Sequence, residues 1–436
     1  MKMKRILCVL LSAMMLLSIF TACGSTSNDD SSNSGNSGDS TNDAETEIVD
    51  SSDIEACEIV FWHAMSNAQE EALTAITDEF NATNEWGITV TLVNQGAYND
   101  LSTKLTASAA SDTLPDLSQA YNNWVTSYID KIVPLDDFVA RDYDEMDYED
   151  ILQSYRDENS EFGFISGMPF NKSTYLYFYN KTLFDQLGLS APETWDDLIT
   201  IGQTFQSELG MVSLGYDDLA GLIEATLLQN GAEYISEDGA EFDTEEGLEA
   251  ITYLMDLYNN GYARLVGEDL YFSGPLGNCL IGAYVGSSTG VSYITMLDGY
   301  ELGVSTLPGN TTKAANTAGT NVMMFTTDAN KQAAAWEYLK YLTNTENTVY
   351  WAMQTGYMPI RTSGFESEEY QEYMETSEAA QACYAQQEAY FASSNFDGSY
   401  DVRNDIGTKF EELVLAGADG QTAYDALIEL VNGISQ

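Results

Sequence analysis

Apolar residues fall along this chain in three successive regimes. Residues 6–20 are almost continuously apolar, residues 24–53 carry almost nothing apolar before Ile48, and from Glu58 onward short alternating runs interleave with longer runs of helical period. Glu58–His63 alternates and predicts a strand. A helix from Asn67 to Thr83 follows, with Leu73, Ile76 and Phe80 on one face. Ile88–Asn94 alternates again. Helices are predicted over Tyr98–Ala110, Asn122–Lys131, Thr194–Leu209, Asp217–Asn230 and Thr244–Asn260, several of them opening on Asn, Thr or Asp in N-cap positions. Strands are predicted over Asp116–Tyr121, Ser173–Tyr179, Met211–Tyr216, Asn278–Val285, Gly303–Leu307 and Asn321–Thr327, and after Asp328 the chain reads as mainly helical. Strand–helix alternation of this kind argues for an α/β fold with helices on both sheet faces.

The first two regimes describe an export signal and a tether. Lys2, Lys4 and Arg5 precede the apolar run. At 15 residues (Ile6–Phe20) that run falls short of the roughly 20 needed to span a bilayer and reads as the core of a secretory signal. It ends in Phe20-Thr21-Ala22-Cys23-Gly24, which resembles the lipobox of bacterial lipoproteins, with Phe20 where Leu is usual. The resemblance implies cleavage after residue 22, lipidation of Cys23 and attachment to the outer face of the cytoplasmic membrane; the alternative is an ordinary secretory signal. Residues 23–53 are expected to form a disordered tether, too polar to offset the entropy of ordering them. About 30 residues of coil reach on the order of 30 Å.

Charge narrows the partners. The formal charge is −53, and loss of residues 1–22 removes three basic residues and no acidic one, leaving −56. Such a field disfavours nucleic acid and anionic lipid, and an anionic ligand needs a local cationic clamp. Cys57, Cys279 and Cys383 are odd in number and widely spaced, neither a disulfide framework nor a metal site; they are expected to be small buried residues with at most one pair bridged. Twenty-eight Tyr and six Trp against one His lean toward stacking on a ligand over metal or acid–base chemistry, and no cofactor is implied. A body of about 380 residues exceeds what one core usually serves, so two lobes are expected.

Several motifs carry a resemblance. Phe61-Trp62-His63, Glu79-Phe80-Asn81, Gln95-Gly96-Ala97-Tyr98, Leu114-Pro115-Asp116 and Ile132-Val133-Pro134-Leu135 come first. Pro169-Phe170-Asn171, Tyr177-Phe178-Tyr179-Asn180-Lys181, Thr194-Trp195-Asp196-Asp197-Leu198, Gly286-Ser287-Ser288 and Thr355-Gly356-Tyr357-Met358-Pro359-Ile360 follow, and Arg403 closes the series. In order and spacing this resembles the family-1 extracellular solute-binding proteins of ATP-binding-cassette importers, whose members bind maltose, other oligosaccharides and glycerol phosphates. Leu176 departs from the pattern, which has a small residue there. The resemblance implies a two-lobed periplasmic-binding-protein-like fold (type II), a hinge crossed several times, a ligand cleft between the lobes and monomeric action on the importer's transmembrane subunits. Lobe 1 is expected over 54–166 and 313–344, and lobe 2 over 167–312 and 345–436. The crossings are expected near Ser166–Pro169, Leu307–Lys313 and Thr343–Glu346.

The candidate ligand contacts are Tyr98, Asn122, Ser173, Ser287, Ser288, Gly319, Tyr357 and Arg403. Tyr98 lies between a strand and a helix and can overhang a cleft, or can staple its helix. Asn122 matches a glutamate that holds polyol hydroxyls in the glycerol-phosphate-binding members. Ser173 matches a family contact and is otherwise a turn serine. Ser287, Ser288 and Gly319 sit in small-residue segments that permit close backbone approach, Gly319 equally fitting a strand-entry turn. Tyr357 is presented by a Gly/Pro turn. The family counterpart of Arg403 clamps a phosphate, whereas composition alone offers a salt bridge with Asp401, Asp405 or another carboxylate. Trp195 and Trp124 read as core, and His63 as structural.

A carbohydrate is the expected ligand, with glycerol 3-phosphate or its diesters second. The competing classes are a secreted glycoside hydrolase, which needs a carboxylate pair flanking the scissile bond, and a surface lipoprotein with no small ligand. There is no nucleophile elbow, P-loop or zinc motif.

Overall fold

The computed structural model describes residues 48–396 and 398–434. The expected signal, Cys23 and the tether as far as residue 47 lie outside the described residues. The ordered body begins earlier than the expected tether end at 53, because Ile48 and Ile54 pack on the core and Arg141 donates to the Val49 carbonyl (3.1 Å).

One half of the molecule grows from β1 (Glu58–His63), which pairs in parallel with β2 (Thr89–Asn94) and with β3 (Leu117–Ala120). Parallel neighbours require crossovers, and the helices Ala68–Thr83 and Tyr98–Ala110 supply them. Leu73, Ile76 and Phe80 bury in one core and Leu101 and Leu105 in another, so the sheet is covered on both faces. The second half surrounds a separate core of Ile201, Phe205, Ile223, Leu254 and Phe410.

The two halves share strands. β4 (Met168–Asn180) pairs antiparallel with β7 (Ala315–Met324) along Met168–Thr174, then with β5 (Ala283–Ser287) and β6 (Leu302–Ser305) along Tyr175–Asn180. β7 in turn starts beside β8 (Tyr390–Phe391) and ends against β3. The chain therefore passes between the halves inside β4, near Thr174–Tyr175, and inside β7, near Asn316–Thr317, downstream of the sequence-based crossings at Ser166–Pro169 and Leu307–Lys313. Gly and Pro mark where the backbone turns; which strand a residue pairs with is set by the opposing chain.

The third expected crossing falls later than 343–346. Thr343–Glu346 is a tight joint between the helices Ala329–Leu342 and Thr345–Thr355, with the Asn344 side chain capping the second. Trp336 and Leu339 before it, and Val349 and Trp351 after it, bury in the same core, and Trp351 packs on Phe170 at 4.6 Å. The helix Thr345–Thr355 thus packs with the first half, not with lobe 2 as the motif order suggested, whereas Glu378–Ala385 lies against β6 and β4 of the second half, and Phe396 and Val402 return the chain to the second core.

Other expectations are sharpened. β4 starts five residues before the predicted Ser173, and β7 six before Asn321. Asn122–Lys131 is a 3-10 segment broken at Tyr128 rather than an α-helix, in keeping with its polar and β-branched residues, which compete poorly for α-helix. Cys57, Cys279 and Cys383 are all unbridged and only Cys383 is buried. Burial pushes the Cys383 thiol up to about 12.

Candidate functional site

A cavity of about 240 Å3 lies where the shared strands meet the two halves. The first half contributes Tyr98, the Tyr121–Asn123 strand end, and Glu158 and Glu161 from the end of the helix Gln153–Ser160. Lys172 and Tyr175 of β4 and Asn316–Gly319 of β7 form the floor. The second half contributes Asp218, the segment leading into the helix Ser399–Ala416 adds Ser393 and Asn395, and the first turns of that helix add Tyr400 and Arg403.

Aromatic edges shape one wall. Tyr98 meets Tyr121 edge-on at 5.1 Å, Tyr121 meets Trp124 at 5.1 Å, and Trp124 meets Tyr400 at 6.3 Å. Such rings offer faces for C–H surfaces and hydroxyls for orientation. The Tyr98 hydroxyl is fixed by the Asn171 amide (2.8 Å) and lies 3.3 Å from the Tyr357 hydroxyl. Around the cavity, Oδ1 of Asn122, Asn123, Asn316 and Asn395 and Nε of Arg403 are buried with no protein hydrogen-bond partner. Buried polar atoms are ordinarily paired, so this concentration of acceptors suits a ligand rich in hydroxyl donors.

Ion pairs hold the floor and the far wall. Lys172, 1% exposed, donates to both Glu158 oxygens at 2.9 and 2.8 Å. The Arg403 Nη2 donates to Asp218 Oδ2 at 2.6 Å, and its Nε stands 3.8 Å from Glu224. Burial alone would raise the Asp218 pKa, but the Arg403 guanidinium and the Tyr175 hydroxyl outweigh it and hold the carboxyl below its usual range. Glu224, more deeply buried, keeps a raised pKa despite Arg403 and the Ser393 hydroxyl. Burial likewise raises Glu161, which accepts from the Asn122 and Asn395 amides, each at 2.7 Å.

Of the residues singled out from sequence, the structure brings Tyr98, Asn122, Gly319 and Arg403 together on this cavity. Tyr357 stands behind Tyr98, stacked on Trp351 at 5.5 Å. Ser173 is buried in the β4 ladder opposite Ala318 and is outside the lining. Ser288 donates to the Gly356 carbonyl (2.8 Å) and so supports the Gly356–Tyr357 turn, Ser287 bonds Thr289 (3.0 Å), and neither lines the cavity. Gly319 has φ +115, and a Cβ there would stand 1.9 Å from the Asn171 carbonyl, so the strand pairing itself demands glycine. Trp195 stacks on Tyr253 at 4.2 Å in the second core, and His63 is buried, its Nδ1 accepting from the Met65 N–H, both as read from sequence.

Sequence reasoning did not single out Lys172, Tyr175, Asp218 or Asn395. Asp218 was legible only as a helix N-cap, a role it does fill toward the Gly221 N–H (3.1 Å). Its partnership with Arg403, 185 residues away, has no local signal.

Next to it, burial raises Asp217 to about 7 although the Phe272 N–H donates to it. A raised folded-state pKa means the native protein holds the proton more tightly than the unfolded chain, so this group's contribution is lost as pH rises from about 4 to about 7. Asp217→Asn should match the wild type near pH 4 and exceed it at pH 7.5 by at most about 4 kcal/mol, at ~1.4 kcal/mol per pKa unit. Urea midpoints at the two pH values check this, and a pH-independent difference would refute it.

Residues 75–378 match the family described as "Bacterial extracellular solute-binding protein". Related proteins include the sn-glycerol-3-phosphate-binding periplasmic protein UgpB of Rhizobium meliloti (strain 1021), 22% identical over 86% of this chain and 93% of that one. The same-named protein of Yersinia pseudotuberculosis is 24% identical over 74% and 78%. Among solved structures, UgpB from Mycobacterium tuberculosis in complex with glycerophosphocholine superposes with a TM-score of 0.76 at 20% identity, covering 85% of this chain and 96% of that one. The cyclic alpha-maltosyl-1,6-maltose binding protein from Arthrobacter globiformis gives 0.75 at 24% identity, covering 87% and 99%. At these identities the likeness is one of fold, the two-lobed α/β architecture of the binding proteins.

Proposed function

Because this chain belongs to the bacterial extracellular solute-binding protein family, we propose that it captures a carbohydrate outside the cytoplasm and hands it, intact, to the transmembrane subunits of an ATP-binding-cassette importer. The observation that carries the reading is the cavity itself. Tyrosine faces and hydroxyls stand beside buried amide oxygens without protein partners, the donor–acceptor inventory that sugar hydroxyls complete. Tyr98, Asn122, Gly319 and Arg403 contact the ligand, and Tyr357 supports Tyr98 from behind. Ser173, Ser287 and Ser288 act on the ligand only through the backbone they fix. The halves that share β4 and β7 close on the ligand as hinged lobes and reopen to release it. Cys23 carries the lipid anchor, residues 24–47 hold the body clear of the membrane, and the protein acts as a monomer.

A second reading, glycerol 3-phosphate or one of its diesters, is favoured by the presence of Arg403 in the wall and by the names of the related proteins. A hydrolase is disfavoured by the state of the acids. Glu158 is held by Lys172, Asp218 by Arg403, and Glu161 by two amides.

The test is a thermal-shift and product-analysis screen of the secreted body, residues 24–436, with maltose, maltotriose, other neutral oligosaccharides and glycerol phosphates. A carbohydrate at about 100 times its Kd should stabilise by about 2.7 kcal/mol and be recovered unchanged. Cleavage of the sugar, or indifference to every carbohydrate, would overturn the reading.

A further inference from the structure

We propose that Asp218 sets the charge selectivity of this cavity: by occupying the Arg403 guanidinium it admits neutral polyols and turns away phosphate-bearing solutes. The inference rests on the carbohydrate reading above and deepens it.

An arginine in a binding wall ordinarily invites phosphate, which its planar fork can hold bidentately. Here one arm of the fork is already engaged and the other faces a carboxylate. Nη2 is 2.6 Å from Asp218 Oδ2, and Nε faces Glu224 at 3.8 Å. Asp218 is itself held in place by three donors, since the Tyr175 hydroxyl (2.5 Å) and the Gly221 N–H (3.1 Å) join Arg403. Opening the pair has a cost, because displacing one partner leaves a half-buried charge uncompensated. The other cation of the cavity is countered too, with both Glu158 oxygens on the Lys172 ammonium. Glu161 adds a carboxylate whose hydrogen bonds come from neutral amides. Three lining carboxylates, Glu158, Glu161 and Asp218, with Glu224 behind Arg403, therefore stand against two cations. A phosphate dianion entering this space meets net negative charge at low dielectric, where repulsion is amplified.

Neutral hydroxyls face no such barrier. They can donate to the Asn122, Asn123 and Asn395 oxygens and accept from Arg403 Nε while the ion pair stays closed. Asp218 is thus a specificity-determining residue acting through Arg403, and removing its charge should convert the site toward anions.

The experiment compares wild type, Asp218→Asn and Glu224→Gln by calorimetric titration with maltotriose, the neutral oligosaccharide that shifts the wild type most, glycerol 3-phosphate and inorganic phosphate. Asn is a good N-cap and preserves the helix start; circular dichroism and urea midpoints report whether each variant folds. The wild type should bind a neutral sugar and ignore glycerol 3-phosphate. Asp218→Asn should gain at least about tenfold in glycerol 3-phosphate affinity, and Glu224→Gln a smaller gain, read independently should the first variant fold poorly. A wild type that binds glycerol 3-phosphate as tightly as any sugar overturns the inference, as do two folded variants with no gain. If no carbohydrate binds any variant but the anion gain appears, the selectivity role of Asp218 stands and the carbohydrate reading falls.

Discussion

Lys172→Ala is expected to cost about 3–5 kcal/mol of folding stability, the range for breaking a buried ion pair from one side. Lys172 sits on β4 where that strand passes between the two cores, 1% exposed, with its ammonium on both Glu158 oxygens and 5.4 Å from the Tyr155 ring. Alanine leaves Glu158 facing only the Asn321 amide at 3.3 Å and a void where the lysine stem packed. The double variant Lys172→Met with Glu158→Gln should recover most of the loss, because burial of an unpaired carboxylate is the costly element. Urea unfolding of Lys172→Met, Glu158→Gln and the double measures the coupling. Additive losses would show that the pair is incidental to stability.

Arg403→Ala carries the second large effect, on stability and on binding together. Glu224 would lose a nearby counter-ion while buried and Asp218 its partner while half-buried, at a cost of up to about 3 kcal/mol near pH 7. The sign of its pH dependence follows from those carboxylates. In the wild type Arg403 holds the Asp218 pKa down, so the pair's stabilisation is present above the ordinary carboxylate range and lost as pH falls through it. In the variant burial is unopposed, the carboxyls protonate at higher pH, and the difference between variant and wild type should shrink between pH 7 and pH 4.5. Affinity for the neutral ligand should fall by about tenfold or more, since a wall donor and the order of Asp218 and Tyr175 go together. Denaturation at the two pH values and titration with the stabilising sugar read these separately; a pH-independent loss with unchanged affinity would make Arg403 a purely structural residue.

Recognition of the two halves was strong where the signal was short-range. β1, the helix Tyr98–Ala110 and the helix starts at Thr194 and Thr244 follow from alternation, helical period and capping residues within a few positions of one another. Tyr98 was singled out by its place between a strand and a helix together with the family resemblance, and Asn122 by the resemblance. Ser173, by contrast, sits next to cavity-lining Lys172 but on the opposite side of β4, since successive residues of a strand face opposite ways. Ser287, Ser288 and Gly319 looked alike as small residues near glycines, yet only Gly319 reaches the cavity.

By itself, then, the order of residues determined the α/β class, the family and the aromatic, amide-rich character of the ligand wall, because periodicity, caps and motif order are properties of neighbouring positions. Only the tertiary structure decided that the helix Thr345–Thr355 packs with the first half, that β4 and β7 carry the crossings, and that Arg403 is paired with Asp218 and lies near Glu224. Those depend on which of many equivalent carboxylates and strands come into contact across 100 or more residues, and with 69 acidic residues to choose from, no local pattern distinguishes the one that does.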